Sequence, residues 1–417
     1  MKILWFSNRL FTDDKIKGTG TWLDSMADIL IKEESIQLFN ITQGYTKKIS
    51  QINYNGIQQY LLPNQKLRSN GLPSQKLIKQ IIHIVDSINP DIIHIWGTES
   101  YWGLLSSRGY LNKGVKILEI QGLVSQIKKY VFGGLTIHQL FQCINIKEVL
   151  KPSTSVFSLK RKFTKKSKHE LEIISSHSFI STQSEWVRSH ISFHNPNARI
   201  LKTKIPLRKE FVGERKWIYD QINSNVIFTS ISSNAPYKGM HTLIDAVSIL
   251  KKSFPNVKLL IAGYVGSGLR ESGYVKFLKK KIVTNGLIDN VIWLGPQNEE
   301  EIVTILSTSH VAVFPSLIES YGVAVAESLS LGVPTITSYS GALPEQGIDG
   351  ESILFFPPGD TYVCAYKIKK IFDSNSIAER LSKNASKYNR NITNNEIAKI
   401  QLSIYKEVLN NGSNINC

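Results

Sequence analysis

One stretch constrains the fold of this 417-residue chain more than any other, the run FPSLIESYGVAVAESLSLGVPTITSYSGALPEQ from Phe314 to Gln346. It opens at the end of an apolar strand and continues through a short polar loop. Gly322 then begins an apolar run with helical spacing. Gly332 followed by Pro334 ends that helix in the order that helix C-termini favour. Because Thr335 to Thr337 begin another strand, the stretch predicts a βαβ unit with a glycine at the start of its helix.

The start of this helix is suited to binding phosphate. Free N–H groups and the helix dipole concentrate positive charge there, and Gly322 has no side chain to hold a phosphate away. Glu319 precedes the helix and Glu327 lies more than one turn inside it. A diphosphate between two polyols, such as a sugar and a ribose, fits this arrangement. The alternative from these residues alone is a surface Glu in the loop and a helix Glu paired with a nearby Lys.

The whole run resembles the donor-site signature of glycosyltransferase family 4, whose members are retaining enzymes of the GT-B fold. The resemblance rests on two glutamates seven residues apart, Glu319 and Glu327, and on the later segments LGVP and GALPE. It implies that Glu319 approaches the donor sugar and that Glu327 holds the ribose hydroxyls. The backbone after Gly322 is expected to meet the diphosphate. The donor contacts implied in this stretch are Glu319, Ser320, Tyr321, Gly322, Val323 and Glu327.

A second segment is expected to add charge to the same site. Val226 to Ile231 form a clear strand pattern, and Lys238 comes directly before a glycine and an apolar helix pattern. A strand-end loop, a lysine and a helix start converge there on one anion. The resemblance implies that Lys238 binds the donor diphosphate and that Lys238 and Glu319 are the catalytic residues. It also implies that Gly295 borders the base, and that an arginine usual in the family is replaced here by Ser233.

The first half matches the family in layout more than in motif. After a first apolar strand comes the short pattern of Gly18 and Gly20, which the resemblance places over the donor phosphates; a plain tight turn is the alternative. Later strands end near Trp96 and Glu99 and just before Gln121. Ligands of open α/β sheets lie beyond such strand ends, so these three are acceptor-side or sugar-side candidates. The family usually has His at the last position, and Gln cannot act as a general base.

Composition limits the location and partners of the chain. Three unclustered cysteines indicate a reducing, cytoplasmic compartment, and no apolar run reaches the ~18 residues of a membrane span. The net charge of +17 suits nucleic acid, an anionic membrane surface or acidic substrates. No nucleic-acid-binding motif is present, so nucleic acid is not expected as a partner. The basic run from Lys160 to Lys168 is either a solvated helix face or a contact with the inner membrane surface.

Strand and helix patterns alternate in both halves, which predicts two Rossmann-like, doubly wound parallel-sheet domains facing across a cleft. Residues 1–205 are expected to bind the acceptor and residues 206–392 the nucleotide sugar. A C-terminal helix at about 393–417 is expected to cross back to the first domain. The resemblance implies retaining transfer of a hexose-type sugar from a UDP- or GDP-linked donor, without a metal or other cofactor. The expected acceptor is a saccharide or a lipid-linked glycan in cell-surface glycan synthesis.

Three other functions stay open at this point. The departures at Gln121 and Ser233 suit a sugar-nucleotide-binding protein of the same fold with impaired catalysis. A sugar-nucleotide epimerase of this fold needs no acceptor. The third alternative, a function in nucleic-acid binding, would explain only the positive charge.

Overall fold

The computed structural model describes residues 1–13, 20–231, 233–264, 266, 271–389 and 393–412, and it shows two α/β units along the chain. Within these residues, the first sheet contains eight strands and the second six. The strands of the first sheet are β1 (Lys2–Phe6), β2 (Gln37–Gly44), β3 (Ser50–Tyr54), β4 (Ile57–Pro63), β5 (Ile92–Trp96), β6 (Val115–Glu119), β7 (Phe179–Thr182) and β8 (Arg199–Lys202). Those of the second are β9 (Asn223–Ser230), β10 (Lys258–Ala262), β11 (Val291–Gly295), β12 (Ser309–Phe314), β13 (Thr335–Ser338) and β14 (Leu354–Phe356).

Helices cover both sheets. Those that accompany the first sheet are α1 (Trp22–Leu30), α2 (Gln75–Ile88), α3 (Trp102–Ser107), α4 (Val124–Tyr130), α5 (Ile137–Gln142), α6 (Ile146–Leu150), α7 (Val156–Ser176) and α8 (Glu185–His194). Those that follow are α9 (Met240–Leu250), α10 (Gly273–Thr284), α11 (Glu299–Thr308), α12 (Val323–Ser330), α13 (Thr361–Phe372), α14 (Asn375–Asn389) and α15 (Asn394–Gly412). The central strands β5 and β12 are buried at every position, as parallel strands covered on both faces require.

In each sheet the chain starts near the middle and winds outward in both directions. The strand order is β3-β4-β2-β1-β5-β6-β7-β8 in the first sheet and β11-β10-β9-β12-β13-β14 in the second. The winding therefore changes direction between β1 and β5 and again between β9 and β12. Ligands of open α/β sheets bind at such switch points, beyond the carboxyl ends of the strands. The prediction of two doubly wound domains is confirmed. Ligands are therefore expected at the loops that follow these four strands.

One edge of the first sheet departs from the predicted all-parallel order. β3 pairs with β4 in the antiparallel direction. The two strands are joined by Asn55 and Gly56, which both have positive φ, 49° and 83°. Asn-Gly is a preferred pair for such a tight hairpin turn. The first sheet is therefore mixed, with an antiparallel strand at its outer edge.

The last helix, α15, returns to the first domain as predicted. Its side chains Ile397 and Val408 join the apolar core beneath the first sheet. The Tyr405 hydroxyl accepts a hydrogen bond from Nε1 of Trp5 at 3.1 Å and lies 2.9 Å from Nδ1 of His94. Burial lowers the pKa of His94, which identifies a neutral core histidine. Residues 413–417 of the predicted helix lie outside the described residues.

Candidate active site

Two loops meet at the switch point of the second sheet. One follows β9 and ends in the turn Pro236–Lys238; the other follows β12. Gly239 has φ 70°, and any side chain on it would overlap the carbonyl oxygen of Pro315. The Leu317 amide also donates to the Tyr237 carbonyl at 2.8 Å. The close backbone approach that glycine permits therefore fixes one loop against the other.

Lys238 and Glu319 project from these two loops and form an ion pair. The distance from Nζ of Lys238 to Oε1 of Glu319 is 2.5 Å, and both side chains are mostly buried. Burial opposes the charge on Lys238, but the attraction of Glu319 outweighs it, so the pKa of Lys238 is raised. The lysine therefore stays cationic at neutral pH. The structure brings together the two residues that the sequence predicted as catalytic.

Gly322 lies at the start of α12, as predicted. Its φ of 93° favours glycine, and an added Cβ would lie 2.5 Å from Leu343. The side chains of Tyr321 and Val323 pack against the apolar cluster formed by the first domain and the last helix. Burial raises the pKa of Tyr321 to about 12, so the phenol is neutral. The start of this helix thus lies at the junction between the domains.

Glu327 has a partner that the sequence did not reveal. Nε and Nη2 of Arg208 donate to its two carboxylate oxygens at 2.7 and 2.8 Å. Arg208 also lies 3.6 Å from Glu299 at the start of α11. Burial raises the pKa of Glu327, against the lowering effect of the guanidinium. Glu327 therefore connects α12 to the loop that follows β8, where Arg208 lies. It can make this contact with or without a bound ligand.

The loop that carries Glu319 is tied to the first domain by its next residue. Oγ of Ser320 accepts a hydrogen bond from the Leu123 amide at 3.3 Å. The Ser320 carbonyl accepts from the Ser184 hydroxyl at 3.0 Å. The donor loop and the loop after β6 are therefore in direct contact across the cleft.

Glu345 makes a second link across the cleft, although sequence analysis gave it no role beyond its place in the GALPE segment. Its two carboxylate oxygens accept from the amides of Glu185 and Trp186, each at 2.9 Å. These amides are the first two of α8, where a helix has unpaired N–H groups and favours negative charge. The spacing of the sequence contained no signal for this partner, because it lies in the other domain.

The remaining donor candidates belong to other strand ends. Gly20 has φ 83° and precedes α1, at the switch point of the first sheet. Gly18 lies outside the described residues. Gly295 ends β11, and β10 and β9 separate that strand from β12. At about 4.8 Å between strands this is a distance on the order of 14 Å, which suits the far end of a nucleotide better than its phosphates.

The acceptor-side candidates separate into two groups. Trp96 is fully buried and packs on His94, Trp5 and Trp22, with ring centroids 3.9, 4.9 and 5.5 Å away. It is a core residue and does not line the cleft. Glu99 and Gln121 do lie together at the carboxyl ends of β5 and β6. A Cβ on Gly97 would lie 3.1 Å from Oε1 of Gln121 and would overlap Oε2 of Glu99.

The described residues contain neither a cluster of metal ligands nor a helix suited to a membrane. No group of three or more His, Cys, Asp or Glu side chains in that part of the chain is placed to hold a metal ion. Likewise, none of the described helices has both the length and the apolar composition needed to cross a bilayer.

The chain is similar in sequence to known proteins. Residues 215–388 match the family described as glycosyl transferases group 1. The uncharacterized glycosyltransferase YqgM of Bacillus subtilis (strain 168) is 30% identical over 152 residues, which are 36% of this chain and 40% of that protein. The MMP alpha-(1->4)-mannosyltransferase of Mycolicibacterium hassiacum is 29% identical over 161 residues, 38% of this chain and 37% of that protein. The chain thus spans about two fifths of the length of these curated relatives.

Solved structures match over the full length of the chain. Sucrose-phosphate synthase from Thermosynechococcus elongatus superposes with a TM-score of 0.73 at 15% identity and covers 98% of both chains. HepE of Anabaena, in complex with UDP and glucose, has a TM-score of 0.68 at 15% identity and covers 98% of this chain and 99% of its own. The predicted GT-B arrangement of two facing domains is confirmed.

Proposed function

We propose that the protein is a retaining glycosyltransferase that transfers a hexose from a nucleotide-diphosphate sugar. The observation that carries the proposal is the Lys238–Glu319 ion pair at the switch point of the second sheet, beside the glycine-led start of α12. A cation and free helix amides converge there on the position of a diphosphate. Glu319 is partly exposed beside them and accepts hydrogen bonds from the hydroxyls of the donor sugar.

In the proposed reaction, the bond between the anomeric carbon and the donor phosphate oxygen breaks. An acceptor hydroxyl forms a new bond to that carbon from the same face, so the configuration is retained. Its proton passes to the departing phosphate oxygen, which explains how Gln121 can replace a titrating group. Lys238 and the α12 amides stabilise the growing negative charge on the diphosphate without a metal ion. Contact between the domains excludes water and limits hydrolysis of the donor.

The relatives support the class of donor and reaction. The sequence relatives carry glycosyltransferase and mannosyltransferase names, and a structural neighbour binds UDP and glucose. On these grounds we assign a UDP- or GDP-linked hexose donor and a role like that of glycosyltransferase family 4. The acceptor is proposed to be a saccharide or lipid-linked glycan of the cell surface.

Nucleotide-sugar binding and transfer test this assignment. We expect UDP or GDP to raise the melting temperature of the wild-type protein, because a ligand of the native state stabilises it. Lys238→Ala should remove this shift and reduce transfer at least 100-fold, since the diphosphate loses its cation. Lys252→Ala, at an exposed position of the same domain, is the matched control and should behave like wild type. A Lys238→Ala protein that folds and keeps both properties would contradict the site assignment.

The acceptor is proposed to reach the protein at the inner face of the membrane. Lys160, Arg161, Lys165 and Lys168 line a shallow groove on α7. Large apolar side chains are exposed on the neighbouring helices α5 and α6; they are Ile137, Phe141, Ile146, Val149 and Leu150. The ring of Phe141 lies 5.8 Å from that of Phe157 in the first turn of α7, so the apolar face of α5 adjoins the basic helix. Cationic and apolar groups together suit an anionic bilayer surface.

A further inference from the structure

The switch point of the first sheet contains a carboxylate with an unusual environment. Glu99 lies in the loop after β5, directly beside the strand at which the winding changes direction. Its Oε2 atom is buried and accepts no hydrogen bond from any of the described residues. Buried polar atoms are rarely left without a partner, because the lost hydrogen bond destabilises the fold. Such an atom at the ligand-binding edge of a sheet indicates that the carboxylate binds a ligand.

The Glu99 carboxylate lies where two neighbouring residues, both glycines, have no side chain. A side chain on Gly97, whose φ is 90°, would overlap Oε2 of Glu99. A Cβ on Gly122 would lie 2.8 Å from its Oε1. The amide group of Gln121 lies on the same side of Gly97. Glu99 and Gln121 therefore form one polar pair at the ends of two adjacent strands.

This polar pair is close to the donor loop. Leu123 follows Gln121 by two residues, and its amide is 3.3 Å from Oγ of Ser320. Ser320 is next to Glu319, which is proposed to hold the donor sugar. A hydroxyl bound at Glu99 and Gln121 would thus lie on the first-domain side of the transferred sugar, where an acceptor must be.

The charged groups around Glu99 come from α7. Nζ of Lys166 donates to the backbone carbonyl of Glu99 at 2.9 Å. Glu170 is held by the Thr98 hydroxyl and by the amides of Val124 and Ser125, at 2.6 to 2.9 Å. Burial raises the pKa of Glu99 to about 7, although backbone hydrogen bonds from Glu99 and Thr98 lower it. Glu170 adds to the rise and Lys166 opposes it.

We propose that ionised Glu99 accepts a hydrogen bond from an acceptor hydroxyl next to the one that attacks the donor sugar, with the side-chain amide of Gln121 donating to the same hydroxyl. This inference rests on the proposed function and adds the acceptor subsite to it. Glu99 thereby orients the attacking hydroxyl beside it, whose own proton still passes to the departing phosphate oxygen. The acceptor enters while the domains are apart, and their closure buries the hydrogen bond.

The test compares Glu99→Gln with wild type, using octyl β-glucoside as acceptor and whichever of UDP-glucose and GDP-mannose gives the larger thermal shift. We expect Glu99→Gln to raise the acceptor KM at least tenfold at pH 8 and to leave the thermal shift caused by UDP or GDP unchanged. In the wild type the acceptor KM should rise as pH falls below about 7, since protonated Glu99 cannot accept through that oxygen; the variant should lose this dependence. Glu99→Asp should recover part of the activity.

The outcomes separate the two proposals. Transfer by Glu99→Gln with a wild-type acceptor KM and pH profile would overturn this inference and leave the proposed function intact. Absence of any thermal shift and any transfer in the wild type would overturn the proposed function itself, and this inference with it. If Glu99→Gln does not fold, a wild-type pH profile and acceptor KM in Glu99→Asp would overturn the inference, whereas an altered profile would support it.

Discussion

At the residue scale, the pairing of Arg208 with Glu327 changes how the donor site is understood. The sequence predicts that Glu327 binds ribose, yet both of its carboxylate oxygens already accept from one guanidinium. Each carboxylate oxygen has two lone pairs, so a ribose hydroxyl can still be bound beside the arginine. The guanidinium fixes the orientation of the carboxylate and supplies the charge that its burial requires.

Removal of Arg208 should therefore affect both stability and donor binding. We expect Arg208→Ala to lower the free energy of unfolding by about 3 kcal/mol, because Glu327 is left buried without its cation. Arg208→Lys should recover only part of this loss, since an ammonium group cannot make the paired contact. Urea unfolding of the single variants and of Arg208→Ala combined with Glu327→Gln measures the coupling. Additive effects in that comparison would contradict a direct pairing.

Residues near one another in sequence were easier to predict than pairs across the fold. Glu319, Gly322 and Lys238 could be predicted as site residues because a strand end, a glycine and a helix start are adjacent along the chain and resemble the family's donor-site signature. Arg208 and Glu345 were missed because their partners lie 119 and about 160 residues away. Trp96, predicted as an acceptor-side residue, is buried in the core. The end of a parallel strand can point its last side chain into the core, as it does here.

At the scale of elements, the segment of residues 131–157 joins the two domains. It contains α5 and α6 and follows the acceptor-side strand β6, yet its side chains Leu135, Leu140 and Val156 pack into the core of the second sheet. The Gly133 carbonyl accepts from Nε2 of His241 at 3.0 Å. We call these residues the bridging segment. Its role could not be predicted from sequence spacing, because its apolar positions are matched by a surface elsewhere in the chain.

Two neighbouring glycines allow a controlled test of the bridging segment. Gly133 and Gly134 both have positive φ, 64° and 75°, so alanine costs about 1–2 kcal/mol at either position. An added Cβ lies 2.5 Å from the Pro236 carbonyl oxygen at Gly133 but meets nothing within 4 Å at Gly134. Pro236 begins the turn that ends in Lys238. We expect Gly133→Ala to reduce transfer at least tenfold, because the bridging segment is pushed away from that turn.

Gly134→Ala should keep most of its transfer activity. The measurement is transfer and the UDP-induced thermal shift in both variants, each corrected for its own melting temperature. Equal losses in the two would show that backbone strain alone is responsible and that the contact with Pro236 is unimportant.

At the scale of the whole molecule, positive charge and exposed apolar surface coincide on one part of the first domain. The chain carries a net charge of +17. Part of this charge lies on α7, beside the exposed apolar side chains of α5 and α6. The same bridging segment contacts the turn that carries Lys238. A membrane bound at this surface would therefore contact the acceptor side of the cleft. Through the bridging segment it would also affect the position of the turn that carries Lys238.

Binding to vesicles tests this proposal and separates local charge from total charge. We expect the protein to sediment with vesicles that contain phosphatidylglycerol and not with pure phosphatidylcholine, and to be released by salt, because screening weakens the attraction. Lys165→Glu combined with Lys168→Glu should abolish sedimentation. Lys370→Glu combined with Lys383→Glu changes the total charge by the same amount, at exposed positions of the second domain. This control variant should still sediment with the vesicles. Ile146→Ser with Leu150→Ser should weaken binding even at low salt, since apolar anchors are lost. Equal losses in the two charge variants would show that the attraction is diffuse and that α7 is only a solvated helix face.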